Sequence, residues 1–356
     1  FGSSHFAQAA PVSTCSPRPL VVCIFSSTFA MGCNSSNLAA SASGGGGGVQ
    51  IYGVTGSQNC MGPVLLVSEK KIGSIVPTMP GPEGTMKPDF LAMNPFHAIP
   101  TMKDGSVVLA ESSAILRYLA RKYAPELYPE GDAKRRAYID WAMDNFAGSL
   151  YKDCMATIYP CLGYMGPPED RPAAGKTASD NMTEFANFFL REKFVGGDKL
   201  SIADYKIAPF FFCWVHPMLK EQSFVEAPDR VKQYVTDFMA ACPASDMLKT
   251  AGGYGLKEML DAKLGSTPEL LLTVAGEVKI ETTDILAAKS FKTGKVQVFG
   301  VPPSSNSLGP VLMGQDGKIA ELVPTMPGEA TRTPEFLAMN PFHAVPTMKD
   351  GDFCCA

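Results

Sequence analysis

The sequence predicts a mixed α/β half, an all-helical half after it, and then a second, partial α/β unit. Three observations predict this. Between residues 49 and 124 the signals run β-α-β and then β-β-α. Between 132 and 260 strand signals vanish and long helical-period segments take over. Finally, residues 88–105 return as 334–351 with two changes, Glu335 for Asp89 and Val345 for Ile99.

Val49 to Tyr52 reads as a short buried strand followed by a Gly-containing turn. Pro63 to Lys71 reads as a helix, with Pro63 in its first turn and Gly73 ending it. Ile75-Val76 suits a second strand, and 77–88, rich in Pro and Gly, a loop. Thr101-Met102, the turn Lys103-Asp104-Gly105 and Val107-Val108-Leu109 make a hairpin. Ser112 to Tyr123 is helical, its stripe being Ala114, Ile115, Tyr118 and Leu119. In the helical half, Ser201 caps a helix, Asp204 reaches back to it and Leu200 staples it. A Pro-rich loop, Gly163 to Gly175, separates two helical stretches. Trp141 and Trp214 are assigned to core or interface.

The copy extends upstream. Val49-Gln50-Ile51-Tyr52-Gly53 matches Val296-Gln297-Val298-Phe299-Gly300, and Val76 to Pro80 matches Val323 to Pro327. A spacing of about 247 residues is too long for a solenoid repeat and is that of a whole protein in tandem. Gly351 to Ala356 aligns with Gly105 to Ala110, so the second copy stops short of the position matching Glu111. We read the chain as a tandem-repeat fragment. It comprises a disordered leader (1–48), an α/β domain (49–124), a helical domain (131–260), a connector (261–294) and a truncated second α/β domain (295–356).

Composition excludes several classes. Net charge is −4 with no Lys/Arg block, which argues against a nucleic-acid partner. Four scattered histidines and ten cysteines without a C-x-x-C argue against a metal site and a dithiol redox motif. So few cysteines per length suit a reducing compartment, and we expect a cytoplasmic protein. No run is long enough to span a bilayer. Two further readings compete for the leader. Leu20 to Phe25 after Arg18 suits the core of a signal peptide. Met31-Gly32-Cys33-Asn34-Ser35-Ser36 fits myristoylation of Gly32, a lipid anchor only if translation starts at Met31.

The order of elements resembles the soluble glutathione transferases, whose fold joins a thioredoxin-like α/β domain to an all-α domain. The residues that carry this are Asn94-Pro95-Phe96-His97-Ala98-Ile99-Pro100-Thr101-Met102 and then Glu111-Ser112-Ser113-Ala114-Ile115-Leu116-Arg117-Tyr118-Leu119. The resemblance implies that Ile99, before a cis Pro100, offers its backbone N–H and C=O to the cysteinyl part of glutathione. It implies that Glu111 and Ser112, at a helix start, hold the γ-glutamyl end, where backbone donors favour an anion. His97 matches a histidine of the insect-like branch that would contact the glycyl carboxylate. Tyr52-Gly53-Val54-Thr55-Gly56-Ser57-Gln58-Asn59-Cys60 is similar to the serine-type classes, so Ser57 would stabilise the glutathione thiolate. Thr55 competes for that role, and the bland alternatives are a turn serine at 57 and a helix cap at 112.

The implied activity is conjugation of glutathione, as substrate and with no metal, to hydrophobic electrophiles in detoxification. The electrophile would sit against Phe146, Tyr151, Met155 and Tyr159, and the protein would be a homodimer. Two alternatives stay open: disulfide exchange using Cys60, or a non-catalytic binding module. Two departures keep the last alive. Met61-Gly62-Pro63 stands where the family has an Arg, and Ala98 where many classes place Gln or Lys. The physiological electrophile is not legible here.

Overall fold

The computed structural model describes residues 48–250, 255–265, 296–301 and 304–356. The leader readings, including lipidation at Gly32, and the connector beyond residue 265 lie outside these residues.

Strand β1 (Val49–Gly53) alternates buried and half-buried residues, so Val49, Ile51 and Gly53 face the core. Helix α1 (Gln58–Lys70) returns the chain to β2 (Gly73–Pro77), which pairs parallel with β1. A one-and-a-half-turn helix, α2 (Pro88–Met93), precedes β3 (Thr101–Asp104), antiparallel to β1. Gly105, at φ +61°, turns β3 into β4 (Val107–Ala110). The sheet order is β2-β1-β3-β4, and α3 (Ser112–Tyr123) follows.

Among the described residues, seven α-helices come next: α4 (Ala133–Gly148), α5 (Leu150–Cys161), α6 (Arg171–Phe189), α7 (Ile202–Trp214), α8 (Pro217–Ser223), α9 (Asp229–Ala241) and α10 (Leu256–Leu264). Every residue of α7 is buried, which makes it the axis of this half. Its start is the capping box expected from Ser201 and Asp204. Helix α1 packs on both α3 and α7. Gly62 permits the close approach to α7, because a Cβ there would lie 2.5 Å from the Tyr205 carbonyl oxygen.

Three sequence expectations need correction. Helix α1 starts at Gln58, so Pro63 sits inside it, not in its first turn. The burial of Cys60, Met61, Val64, Leu65, Leu66 and Val67 offsets the hydrogen bond that Pro63 cannot donate. The helix ends at Lys70 and is capped by Lys71, itself left-handed (φ 53°), with Ile72 N–H bonding the Val67 carbonyl. Gly73 instead belongs to β2, where a Cβ would overlap the Val49 carbonyl at 1.9 Å. Helix α6 begins within the expected 163–175 loop, since Asp170 accepts from Ala173 N–H and Pro172 falls in the first turn.

Residues 296–301 and 304–356 repeat the first sheet. Strands β5 (Val296–Gly300), β6 (Ala320–Pro324), β7 (Thr347–Asp350) and β8 (Phe353–Cys355) take the order β6-β5-β7-β8, with helices α11 (Ser305–Asp316) and α12 (Pro334–Met339). Even the register repeats: Gln50 faces Lys103 and Gln297 faces Lys349. The cores differ. Met61, Leu65 and Leu66 are fully buried under α3 and α7, whereas their counterparts Leu308, Leu312 and Met313 are 41%, 54% and 73% exposed. No helix among the described residues is long and apolar enough to cross a membrane.

Candidate functional site

Three chain segments converge beside the carboxyl end of β1. The first is the turn into α1. Ser57 is half-buried and is the N-cap of α1, with extended angles (φ −95°, ψ 122°). Its hydroxyl makes no capping bond to the helix; it hydrogen-bonds the Cys60 thiol instead. A thiol is a weak partner, so an anionic sulfur at this helix start would displace it through a charge-assisted bond. Thr55 is more enclosed, at 6% exposure.

Cys60 itself is inert. It is fully buried beneath Gly53, and burial pushes its thiol up to about 11 despite the Ser57 hydrogen bond. The thiolate is the nucleophilic form, so the disulfide-exchange alternative loses its chemical basis.

The second segment is the loop before β3. The Ile99–Pro100 bond is cis, and His97 is exposed with φ 44°. Asn94 organises the loop by donating to the Ala98 carbonyl (3.1 Å) and to Thr101 Oγ1 (2.9 Å). Among the described residues, no hydrogen bond engages the N–H or C=O of Ile99. Ile99 also borders the first segment: its Cβ lies 3.9 Å from where a Gly53 Cβ would stand.

The third segment is the entry to α3. Glu111 is exposed and holds φ 66° and ψ 112°, outside the regions ordinary residues prefer. Such conformations cluster where a ligand is clamped. Ser112 is 5% exposed, the first residue of the helix.

Sequence reasoning missed the group that joins these segments to the helical half. Lys206 of α7 is 7% exposed and donates to Ser112 Oγ (2.6 Å) and to Asn59 Oδ1 (3.1 Å). Asn59 Nδ2 then donates to the Tyr151 hydroxyl (3.3 Å), which hydrogen-bonds Tyr159. A polar chain thus runs from the start of α3, past the start of α1, to α5. The signal was present in the sequence: a lysine within Ile202–Trp214, a helix that is apolar apart from Asp204 and Tyr205 near its start, must have a partner. Met155 is half-buried on α5, whereas Phe146 has no exposed surface and packs against Phe185, Phe210 and Phe211.

Burial pushes the Lys206 ammonium down to about 8, with the Glu111 charge opposing. The sign follows. An unfolded lysine keeps its proton to about 10.4. Between these values the unfolded chain binds more protons, so the folded protein gains stability as pH rises. Lys206→Met removes this gain. We expect the melting temperature of wild type minus Lys206→Met to increase from pH 7.5 to 10. A constant difference across that range would show an accessible, unshifted lysine.

A family model, glutathione S-transferase N-terminal domain, matches residues 56–122, which hold all three segments. A probable glutathione S-transferase of Oryza sativa subsp. japonica is 28% identical over 203 residues, 54% of this chain and 92% of the relative. Its curated and structural neighbours are glutathione S-transferases. A delta-class glutathione transferase of Nilaparvata lugens superposes with a TM-score of 0.52 at 27% identity, covering 60% of this chain and 99% of that one. A Bombyx mori glutathione transferase gives 0.51 at 21% identity (60% and 94% covered), a likeness of fold alone. A thioredoxin-like α/β domain followed by a helical domain is thus the glutathione S-transferase arrangement in this chain.

Proposed function

We propose that residues 49–264 bind glutathione and transfer it to hydrophobic electrophiles by a serine-type mechanism. One observation carries this: the Ser57 hydroxyl, the unpaired backbone of Ile99 and the α3 entry at Glu111-Ser112 meet at one end of β1. The Ile99 N–H and C=O take the cysteinyl backbone. Glu111 holds the γ-glutamyl ammonium, and Ser112 with the α3 N–H groups holds the carboxylate. His97 lies on the open side of the loop for the glycyl carboxylate, and Pro100 fixes the loop. Ser57 then donates to the sulfur and favours thiolate over thiol, a group otherwise protonated below about 8.5. Tyr151, Met155 and Tyr159 flank the electrophile on α5; Phe146 supports them from within.

Detoxification, a cytoplasmic location and a homodimer belong to this reading. The resemblance to the family supports them, as does the ordinary globular composition. Residues 296–356 are read as a second thioredoxin-like copy, on the matching strand order and register.

The full chain should be retained on immobilised glutathione and should conjugate a model aryl halide. No retention together with no calorimetric heat would defeat the proposal. Glu111→Gln and Ser112→Ala should each raise the glutathione Kd about tenfold, the loss of roughly 1.5 kcal/mol from one charge-assisted bond. Titration calorimetry reads this; unchanged affinity in both variants would remove the α3 entry from the site.

A further inference from the structure

We propose that Lys206 is a positioning residue that orients one hydrogen-bond chain through both halves of the site. It leaves a phenolic proton of the Tyr151–Tyr159 pair for the oxygen of a conjugated-carbonyl electrophile. This rests on the glutathione reading above and deepens it to a substrate class.

An ammonium has three N–H donors and no acceptor. Lys206 places its donors on Ser112 Oγ (2.6 Å), on Asn59 Oδ1 (3.1 Å) and over the Phe210 ring, 5.5 Å from the centroid. Ser112 and Asn59 are thereby forced to accept. Ser112 consequently keeps its own proton for a ligand on the glutathione side. With its oxygen tied to Lys206, the Asn59 amide can only donate onward, and it does so to the Tyr151 hydroxyl at 3.3 Å. Tyr151 and Tyr159 share one further hydrogen bond.

The two phenols hold two protons, and the bond between them uses one. The Asn59 amide fills an acceptor position on Tyr151 and takes no proton from the pair. One phenolic proton is left over, and among the described residues no acceptor engages it. Both phenols are half-buried, so a ligand can reach it. The Tyr151 ring is held edge-on against Phe210 (5.8 Å), the same ring that faces the ammonium. Asn59 lies in the first turn of α1, two residues after Ser57, so the spare donor stands beside the place of the glutathione sulfur.

Such a donor favours one kind of electrophile. With an α,β-unsaturated ketone, the thiolate forms a C–S bond at the β-carbon and the C=C π pair moves onto the carbonyl oxygen. Nothing leaves. The phenolic proton hydrogen-bonds the enolate oxygen as its charge develops. Water then protonates the α-carbon, replacing the proton that the thiol gave up. With benzyl chloride the charge departs on the halide, and no oxygen gains it.

Asn59→Asp tests the orientation. It is nearly isosteric and keeps the Lys206 contact, but its second oxygen can only accept. The chain then reverses: Tyr151 donates to the carboxylate, Tyr159 donates to Tyr151, and no proton is left over. The readout is the kcat/KM ratio of benzylideneacetone to benzyl chloride, at a pH well below the value of about 8 that burial gives Lys206. The ratio cancels any change in the thiolate common to both substrates. Asn59→Asp should lower it about tenfold, and so should Tyr151→Phe/Tyr159→Phe. The triple variant should fall no further, because it removes a proton already consumed. An unmoved ratio in either variant, or losses that multiply in the triple, overturns the proposal while continued conjugation of benzyl chloride leaves the glutathione reading standing. No conjugation of either substrate by wild type defeats both. If Asn59→Asp does not fold, Lys206→Met decides. It frees the Asn59 amide to turn over, so the ratio should fall and the KM for glutathione should rise as Ser112 loses its orientation. An unmoved ratio there overturns the proposal.

Discussion

Ser57→Ala should slow conjugation roughly tenfold to hundredfold, the loss of one charge-assisted hydrogen bond of about 1.5–3 kcal/mol from the transition state. The hydroxyl contributes little else: it caps no helical N–H, and its partner at rest among the described residues is the weakly bonding Cys60 thiol. The fold should therefore survive unchanged. Glutathione affinity should also change far less than rate, because Ile99, Glu111 and Ser112 remain. The pH profile of the rate should move upward by about one to two units toward that of an unassisted thiol. Cys60→Ser is the control, and it should keep most of the rate. Its thiol is buried and protonated, and the repeat carries Ser307 at the same place beneath Gly300. Full rate and an unmoved profile in Ser57→Ala would reduce Ser57 to a turn residue and pass the role to Thr55.

Asp204→Ala should destabilise the protein by about 3–5 kcal/mol, a large part of the roughly 5–15 kcal/mol that holds a domain folded. Asp204 is fully buried. Its carboxylate accepts from Val195 N–H (2.9 Å), Ser201 N–H (2.7 Å), Ser201 Oγ (3.0 Å) and the Tyr234 hydroxyl (2.9 Å). Alanine would leave these donors in an interior without water, each at about 1–3 kcal/mol, with Ser201 recovering part. The damage would spread because α7 is the helix on which α1 rests through Gly62. Asp204→Asn, which retains an acceptor, should lose less than half as much. Urea denaturation would read both, and equal stability of Asp204→Ala and wild type would show the box to be ornamental.

The sequence by itself determined a good deal. The β-α-β and β-β-α order, the α3 stripe, the α7 start and the repeat all rest on local rules: periodicity of two or 3.6, Gly at the Gly105 turn, a Ser and an Asp three residues apart. Local rules act within a few residues, so they are legible without a fold. They misplaced the start of α1 because a proline rule cannot weigh Pro63 against six buried neighbours on the same helix. They also misplaced its end, because Gly73 answers to the Val49 carbonyl on another strand, not to the helix before it. The candidate site divided in the same way. Ser57, Ile99, Glu111 and Ser112 were visible as motif positions. Lys206 and Asn59 were not. The contacts of Lys206 join residues 94 and 147 positions apart. Only packing decides them, since a hydrogen bond depends on distance in space, which the order of residues does not state.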